Sequence, residues 1–256
     1  MHEQEKWWNC MNNHQRIHIF IQKNNMMRTL PKIVQDDPWL EPFADVIKNR
    51  IEAAENKEAE LTGESELADF ATGYLYFGLH KTDEGWVMRD WAPNATHIYL
   101  VGTFNDWKEE KEYQFAPLGN GVWELKLDEA ALKHEDLYAL SMHWATDYGK
   151  RMPAWTRRVV QDPSTHTFNA QVWNPENRYE WKHPDFQPKD EPHLIYEAHV
   201  GMAGEEGRVH TYNEFREHML PRIKANGYTT VQLMAIPEHP YYGSFGYHVS
   251  SFFAPS

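Results

Sequence analysis

The sequence predicts a multidomain protein in which an α-helical segment precedes a β-sandwich, and the sandwich precedes a strand–helix–strand unit with parallel strands. Three observations predict it. Apolar residues recur at helical spacing before residue 73, the period falls to two between Tyr74 and about Trp181, and two apolar strand-like runs flank a helical pattern after His193.

In the helical segment, 27–73, Asp37 followed by Pro38 reads as an N-cap with proline at the first helical position. Trp39, Leu40, Phe43, Val46, Ile47 and Ile51 then make one apolar stripe, which predicts a helix with a face to bury. The charged run 52–60 reads as its solvated continuation. Ser65 is placed to cap a second short helix carrying Leu67 and Phe70, ending near Gly73. Ahead of this segment, 17–21 is too short for a signal core, and Glu3 and Glu5 are wrong for its charged end. Residues 1–26 are therefore expected to be a disordered or artefactual extension, with Met26 or Met27 as a natural start.

Over 74–184 the alternation predicts half-buried strands. Trp123, Leu125 and Leu127 alternate with Glu124 and Lys126, and Tyr138, Leu140, Met142 and Trp144 alternate with small or polar residues. Asn120-Gly121 supplies a hairpin turn, so a β-sandwich is the economical fold. The proline-rich 185–192 reads as a linker.

Within 193–256, Leu194, Ile195, Tyr196, Ala198 and Val200 form a run ending at Gly201, as expected for a strand covered on both faces. Thr211 and Glu214 make a capping box. Tyr212, Phe215, Met219, Leu220 and Ile223 follow at helical spacing, Pro221 should kink that helix, and Asn226-Gly227 stops it. Residues 230–236 form the second strand, and two strands joined through a helix imply a right-handed parallel unit. Ligands gather at the carboxyl ends of such strands, here 197–201 and 237–247.

Composition narrows the partners. With 38 acidic against 25 basic residues the net charge is -13, which repels nucleic-acid backbones and anionic membrane surfaces. Cys10 is the single cysteine, so no intramolecular disulfide can form, which favours a reducing, cytoplasmic compartment. Eleven tryptophans suit the packing of pyranose faces on indoles as well as core anchoring.

Specific motifs add a family. The stretches 195–201 (IYEAHVG), 220–224 (LPRIK) and 231–253 (VQLMAIPEHPYYGSFGYHVSSFF) closely resemble the first two strands of the catalytic barrel in 1,4-α-glucan (glycogen or starch) branching enzymes, which are family 13 glycoside hydrolases. The resemblance extends back through Trp91-Ala92-Pro93, the loop 102–107 (GTFNDW) and 151–162, from about Pro38 onward. It implies that the sandwich is an immunoglobulin-like, family-48 carbohydrate-binding module. It also implies that 193–256 is the first βαβ unit of an incomplete (β/α)8 TIM barrel, since a whole barrel takes about 250 residues.

The same resemblance implies site residues. Trp107 matches a tryptophan that stacks on α-glucan, Trp91, Pro93 and Glu64 line a glucan groove beside the module, and Tyr247 sits against the sugar ring at the cleavage point. Two departures stand out. Ala139 replaces a basic residue of related modules, which should weaken or displace binding at the Trp107 surface, and His248 stands where many branching enzymes have Gln. The implied reaction is a retaining transfer in glycogen biosynthesis that cleaves α-1,4-glucan and joins the chain to a 6-hydroxyl as an α-1,6 branch. It needs two carboxyl groups about 5–5.5 Å apart. The family carries these on later barrel strands, so no catalytic residue is assigned within this chain, Glu197 and Glu238 are not promoted to that role, and the chain alone is expected to be inactive.

His239 beside Glu238 reads as a structural pair and His199 as a structural strand-end residue, because a metal site needs three or four convergent ligands; no metal or cofactor is expected. Two other functions compete: a debranching hydrolase of the same superfamily, and a stand-alone α-glucan-binding protein.

Overall fold

The computed structural model describes residues 30–63 and 65–256. The readings made on 1–26, on Cys10 and on Glu64 fall outside the described residues. The chain divides into two compact units, the first ending at Tyr76 and the second running Phe77–Ser256.

The first unit holds α1 (Lys32–Asp36) and α2 (Ala44–Thr62). Asp37 caps as expected, its carboxylate accepting from the Trp39 amide at 3.0 Å. The capped segment, Pro38–Phe43, is a 3-10 helix, and the α-helix starts six residues later than the capping signal predicts. Pro42 is the cause: it lacks an amide donor, and its ring would press on the carbonyl four residues back. The run 52–60 does lie along solvent-exposed turns of α2, with Lys57 and Glu60 paired at 2.9 Å. α3 (Leu67–Phe70) begins from Glu66 rather than Ser65, because the Asp69 carboxylate reaches back to the Glu66 amide at 3.2 Å. Gly73 opens one further helical turn, α4 (Gly73–Tyr76), instead of ending the helical part.

The second unit opens with β1 (Gly78–Thr82), β2 (Gly85–Trp91), β3 (Ala95–Gly102), β4 (Ala116–Gly119) and β5 (Val122–Leu127). β6 (Leu137–Trp144), β7 (Asp147–Arg151), β8 (Val159–Gln161) and β9 (Phe168–Gln171) come next. They form two antiparallel sheets, one in the order β1-β2-β5-β4 and the other β3-β6-β9-β8, with β7 also paired to β6. The predicted alternation is realised. Trp86, Met88, Trp123, Leu125 and Leu127 from the first sheet meet Ile98, Leu100, Tyr138, Leu140 and Ala170 from the second in one core. Burial of such side chains contributes roughly 1.5–3 kcal/mol each. Asn120 and Gly121, with φ of 52° and 80°, make the two-residue turn between β4 and β5.

The rest of the second unit contains β10 (Ile195–His199) and β11 (Thr230–Met234), which are parallel with Ile195 opposite Thr230 and His199 opposite Met234. The connection carries α5 (Tyr212–Glu214), a π-helical turn (Phe215–Met219) and α6 (Leu220–Ala225). The capping box forms in both directions, Glu214 amide to Thr211 hydroxyl at 3.2 Å and Thr211 amide to Glu214 carboxylate at 2.8 Å. Pro221 is accommodated by the π turn, in which the Leu220 amide donates to the Phe215 carbonyl five residues back. Phe215 and Ile223 pack against Val200, Val231 and Leu233. The expectation of two covered faces for β10 is corrected: Ile195 is 54% exposed, because the helix packs on the Tyr196, Ala198 and Val200 face, while the opposite face meets Tyr242 at its His199 end and is open at Ile195. Last come β12 (Pro237–Glu238) and β13 (Ser251–Pro255), an antiparallel pair. Phe253 on β13 stacks on Trp155 at 4.3 Å, and Trp155 also stacks on Phe77 at 5.4 Å, which joins this part to the sandwich.

Candidate functional site

Trp91 and Pro93 come together at the tip of the β4–β5 hairpin. The Trp91 indole N–H donates to the Asn120 carbonyl at 3.0 Å, and the Ala92 amide donates to the Gly121 carbonyl at 2.7 Å. Gly121 makes this approach practicable: a Cβ there would lie 2.9 Å from both Pro93 and the Trp91 ring nitrogen. Beneath, Trp123 donates its indole N–H to the Ala92 carbonyl at 3.0 Å. Trp91 is thus locked by its polar edge while 57% of its surface stays open, which is how a flat apolar platform is held ready for a ligand. Asp90 supports it by accepting from the Trp91 amide at 2.8 Å. Burial lifts the Asp90 carboxyl to about 6, against the opposing pull of that hydrogen bond.

Trp107 sits on the loop after β3. Asn105, itself buried, clamps the loop by accepting from the Gly102 amide at 2.9 Å and donating to the Leu100 and Lys108 carbonyls. Asp106 and Trp107 are both held in the left-handed region, φ 53° and 60°. Trp107 is half-buried, and the Lys150 ammonium lies 4.9 Å from its ring centroid. Ala139 is buried in the strand as the sequence shows, yet a cation reaches Trp107 from β7. Lys150 is a residue the sequence reasoning missed. Its signal is register: Lys150 stands opposite Ser141, and Tyr148 opposite His143.

That register builds a polar and aromatic surface. His143 stacks on Tyr148 at 5.3 Å, and Glu109 accepts from Ser141 at 2.6 Å and from His143 at 2.8 Å. Against the upward pull of partial burial, these two bonds and the nearby imidazoles hold the Glu109 carboxyl below its usual range. The arrangement offers fixed donors and acceptors beside exposed rings, which suits a polyhydroxylated ligand.

Tyr247 is on the loop between β12 and β13 and is 77% exposed. Phe245 and Gly246, both at positive φ, turn the chain so that the Tyr247 amide donates to the Ser244 carbonyl at 3.1 Å. Nearby, Glu238 accepts from the His239 amide at 3.2 Å, and burial raises its carboxyl above the usual range. The His239 Nδ1 engages the Pro237 carbonyl at 3.1 Å. Both ring nitrogens of His199 and the Tyr242 hydroxyl are buried without a hydrogen-bond partner among the described residues.

Residues 76–165 match the carbohydrate-binding module 48 (isoamylase N-terminal domain) family. Over 237 residues the chain is 43% identical to a 1,4-alpha-glucan-branching enzyme of Rhizophagus irregularis, covering 88% of this chain and 34% of that protein. Over 230 residues it is 41% identical to the chloroplastic/amyloplastic 1,4-alpha-glucan-branching enzyme of Oryza sativa subsp. japonica, covering 86% and 28%. These matches make the chain similar to the N-terminal region of branching enzymes. It spans about a third of the length of the curated relatives it matches. Among solved structures, a pullulanase from Bacillus acidopullulyticus aligns with a TM-score of 0.55 at 19% identity, covering 70% of this chain and 25% of that one. The Group B Streptococcus pullulanase SAP aligns with a TM-score of 0.53 at 19% identity, covering 78% and 30%. Likeness at that identity bears on the fold alone. The module match takes in Trp91, Pro93 and Trp107 and stops before β9, the strand that joins β8 to β6, while Tyr247 lies beyond it.

Proposed function

We propose that this chain is the glucan-binding module and the opening βαβ unit of the catalytic barrel of a 1,4-α-glucan branching enzyme. The whole enzyme cleaves an α-1,4 bond of a glucan and transfers the chain to a 6-hydroxyl, forming an α-1,6 branch. One observation carries this reading: identity of 38–43% to curated branching enzymes over 86–88% of the chain. The parallel pairing of β10 with β11 through a helix is consistent with the first two strands of a barrel. Relatives of that name favour branching over the debranching alternative.

In this reading Trp91 with Pro93, and Trp107 with Lys150, hold α-glucan on the module. Tyr247 serves the sugar ring at the cleavage point. Glu197 and Glu238 are not the catalytic pair, because the chemistry needs two carboxyl groups facing each other across the bond, about 5–5.5 Å apart. Glu197 lies exposed on β10, and Glu238 is tied to its own neighbour's amide. The test is a chimera in which this chain replaces the matching third of a related branching enzyme. The expected result is a rise in α-1,6 linkages on incubation with amylose; a folded chimera that hydrolyses amylose without transfer would contradict it.

A further inference from the structure

At the open side of the sandwich, where β1 of one sheet faces β9 of the other, lies a cavity of about 390 Å³. That volume is in the range of about 300–1,000 Å³ usual for small-molecule sites. Trp91, Trp107 and Tyr247 are not part of its lining. Its walls have two characters. Trp86, Trp155, Trp173 and Tyr179 supply aromatic surface, while Lys81, Arg157 and Arg178 supply positive charge. Among the described residues no carboxylate belongs to the lining, in a chain with 38 acidic residues against 25 basic ones.

The charge is organised. Arg157 donates to His80 Nδ1 at 3.2 Å, so the His80 proton resides on Nε2, which donates to the Phe77 carbonyl at 2.7 Å. Burial, countered by the Phe77 bond and reinforced by the Arg157 and Arg89 charges, holds this imidazole below its usual range, so it adds no charge of its own at neutral pH. Arg158 lies on the Trp173 ring at 4.0 Å and donates to Gln171 at 2.7 Å, which fixes the indole at the cavity wall. Lys81 is balanced by Glu129 at 2.9 Å, but Arg178 makes no ion pair among the described residues. Arg157 and Arg178 line one cavity with the partly exposed rings of Trp173 and Tyr179, which answers two features of one ligand, a dianion and a pyranose ring.

We propose that this cavity binds a phosphomonoester of glucose, either as the free sugar phosphate or as a phosphorylated glucosyl unit of a glucan. The inference stands on the lining of the cavity and does not depend on the glucan surface at Trp91 and Trp107.

Titration of the 256-residue chain with glucose 6-phosphate, followed by calorimetry and tryptophan fluorescence, tests it. Saturable binding is expected, at least tenfold tighter than to glucose or to inorganic phosphate. Arg178→Glu, at an exposed loop position, should abolish binding without changing the unfolding transition, and Trp173→Ala should weaken it by about tenfold. No saturable binding, or equal affinity for inorganic phosphate or for glucose, would overturn the proposal. So would unchanged affinity in a folded Arg178→Glu variant. Competition by phosphorylated but not by dephosphorylated amylopectin would assign the site to the polymer; competition by neither, with glucose 6-phosphate still bound, would assign it to the free sugar. Retention on unphosphorylated glycogen reports on the module surface separately.

Discussion

At the residue scale, the most consequential side chains are those whose polar edges are already committed. Trp91 has its N–H held by Asn120, so in the proposed reading it would offer a sugar its ring and not a donor, while Lys150 lies over the Trp107 ring. Trp107→Ala should weaken glycogen binding by about tenfold, a loss near ~1.4 kcal/mol. Lys150→Ala should cost less, about 0.5–1 kcal/mol, because it removes a cation–π contact and leaves the ring. Equilibrium binding to glycogen measures both, and a Trp107→Ala chain that binds unchanged would remove that residue from the site. Asp90 makes a different prediction. Its carboxyl is raised from 3.8 to about 6 by burial, so the folded state holds the proton more tightly than the unfolded chain does. Its contribution to stability is full below about pH 4 and is lost as the pH rises through about 6. Asp90→Asn keeps an acceptor for the Trp91 amide and removes the buried charge. It should gain about 1–2 kcal/mol at neutral pH and much less below about pH 4. Urea unfolding on both sides of that window checks it; an equal effect at each pH would exclude burial of the charge as the cause.

At the element scale, the β4–β5 hairpin holds the Trp91 platform at the end of β2, and Gly121 is the residue on which that contact depends. Gly121→Ala meets both a positive φ and contacts of 2.9 Å, so it should destabilise the sandwich by about 1–3 kcal/mol and change the emission of Trp91. Much of this level was legible in the sequence. Asn120-Gly121 marks its turn by dipeptide chemistry, Thr211 and Glu214 mark their cap by spacing, and the strands announce themselves through Trp123, Leu125 and Leu127. The illegible part depends on contacts distant in sequence. Lys150 reaches Trp107 only through the β6–β7 register, and the cavity joins residues from 79 to 179. The late start of α2 shows a local signal overruled by another, since Pro42 interrupts the helix that Asp37-Pro38 would begin.

At the scale of the whole molecule, the sandwich and the βαβ unit differ in how well they cover themselves. The sandwich encloses one continuous core between two sheets. The β10–β11 pair leaves Ile195 exposed, and Tyr241, Tyr247 and Phe252 stand open on the adjoining loops and strand. Local unfolding should therefore begin in 193–256, and amide hydrogen exchange should be faster in β10 and β11 than in β3 and β6. In the proposed reading binding and chemistry divide in the same way: the chain is expected to hold glucan and to form no α-1,6 linkage by itself, because the residues assigned here would position sugar and no reacting carboxyl pair is assigned among them. The central claim is that this chain recognises α-1,4-glucan through the module. Electrophoresis of the 256-residue protein in gels with and without glycogen tests it most directly. Retarded migration in the glycogen gel, relieved in a Trp91→Ala/Trp107→Ala double variant, is the predicted result; identical migration of the unaltered chain in both gels would contradict it.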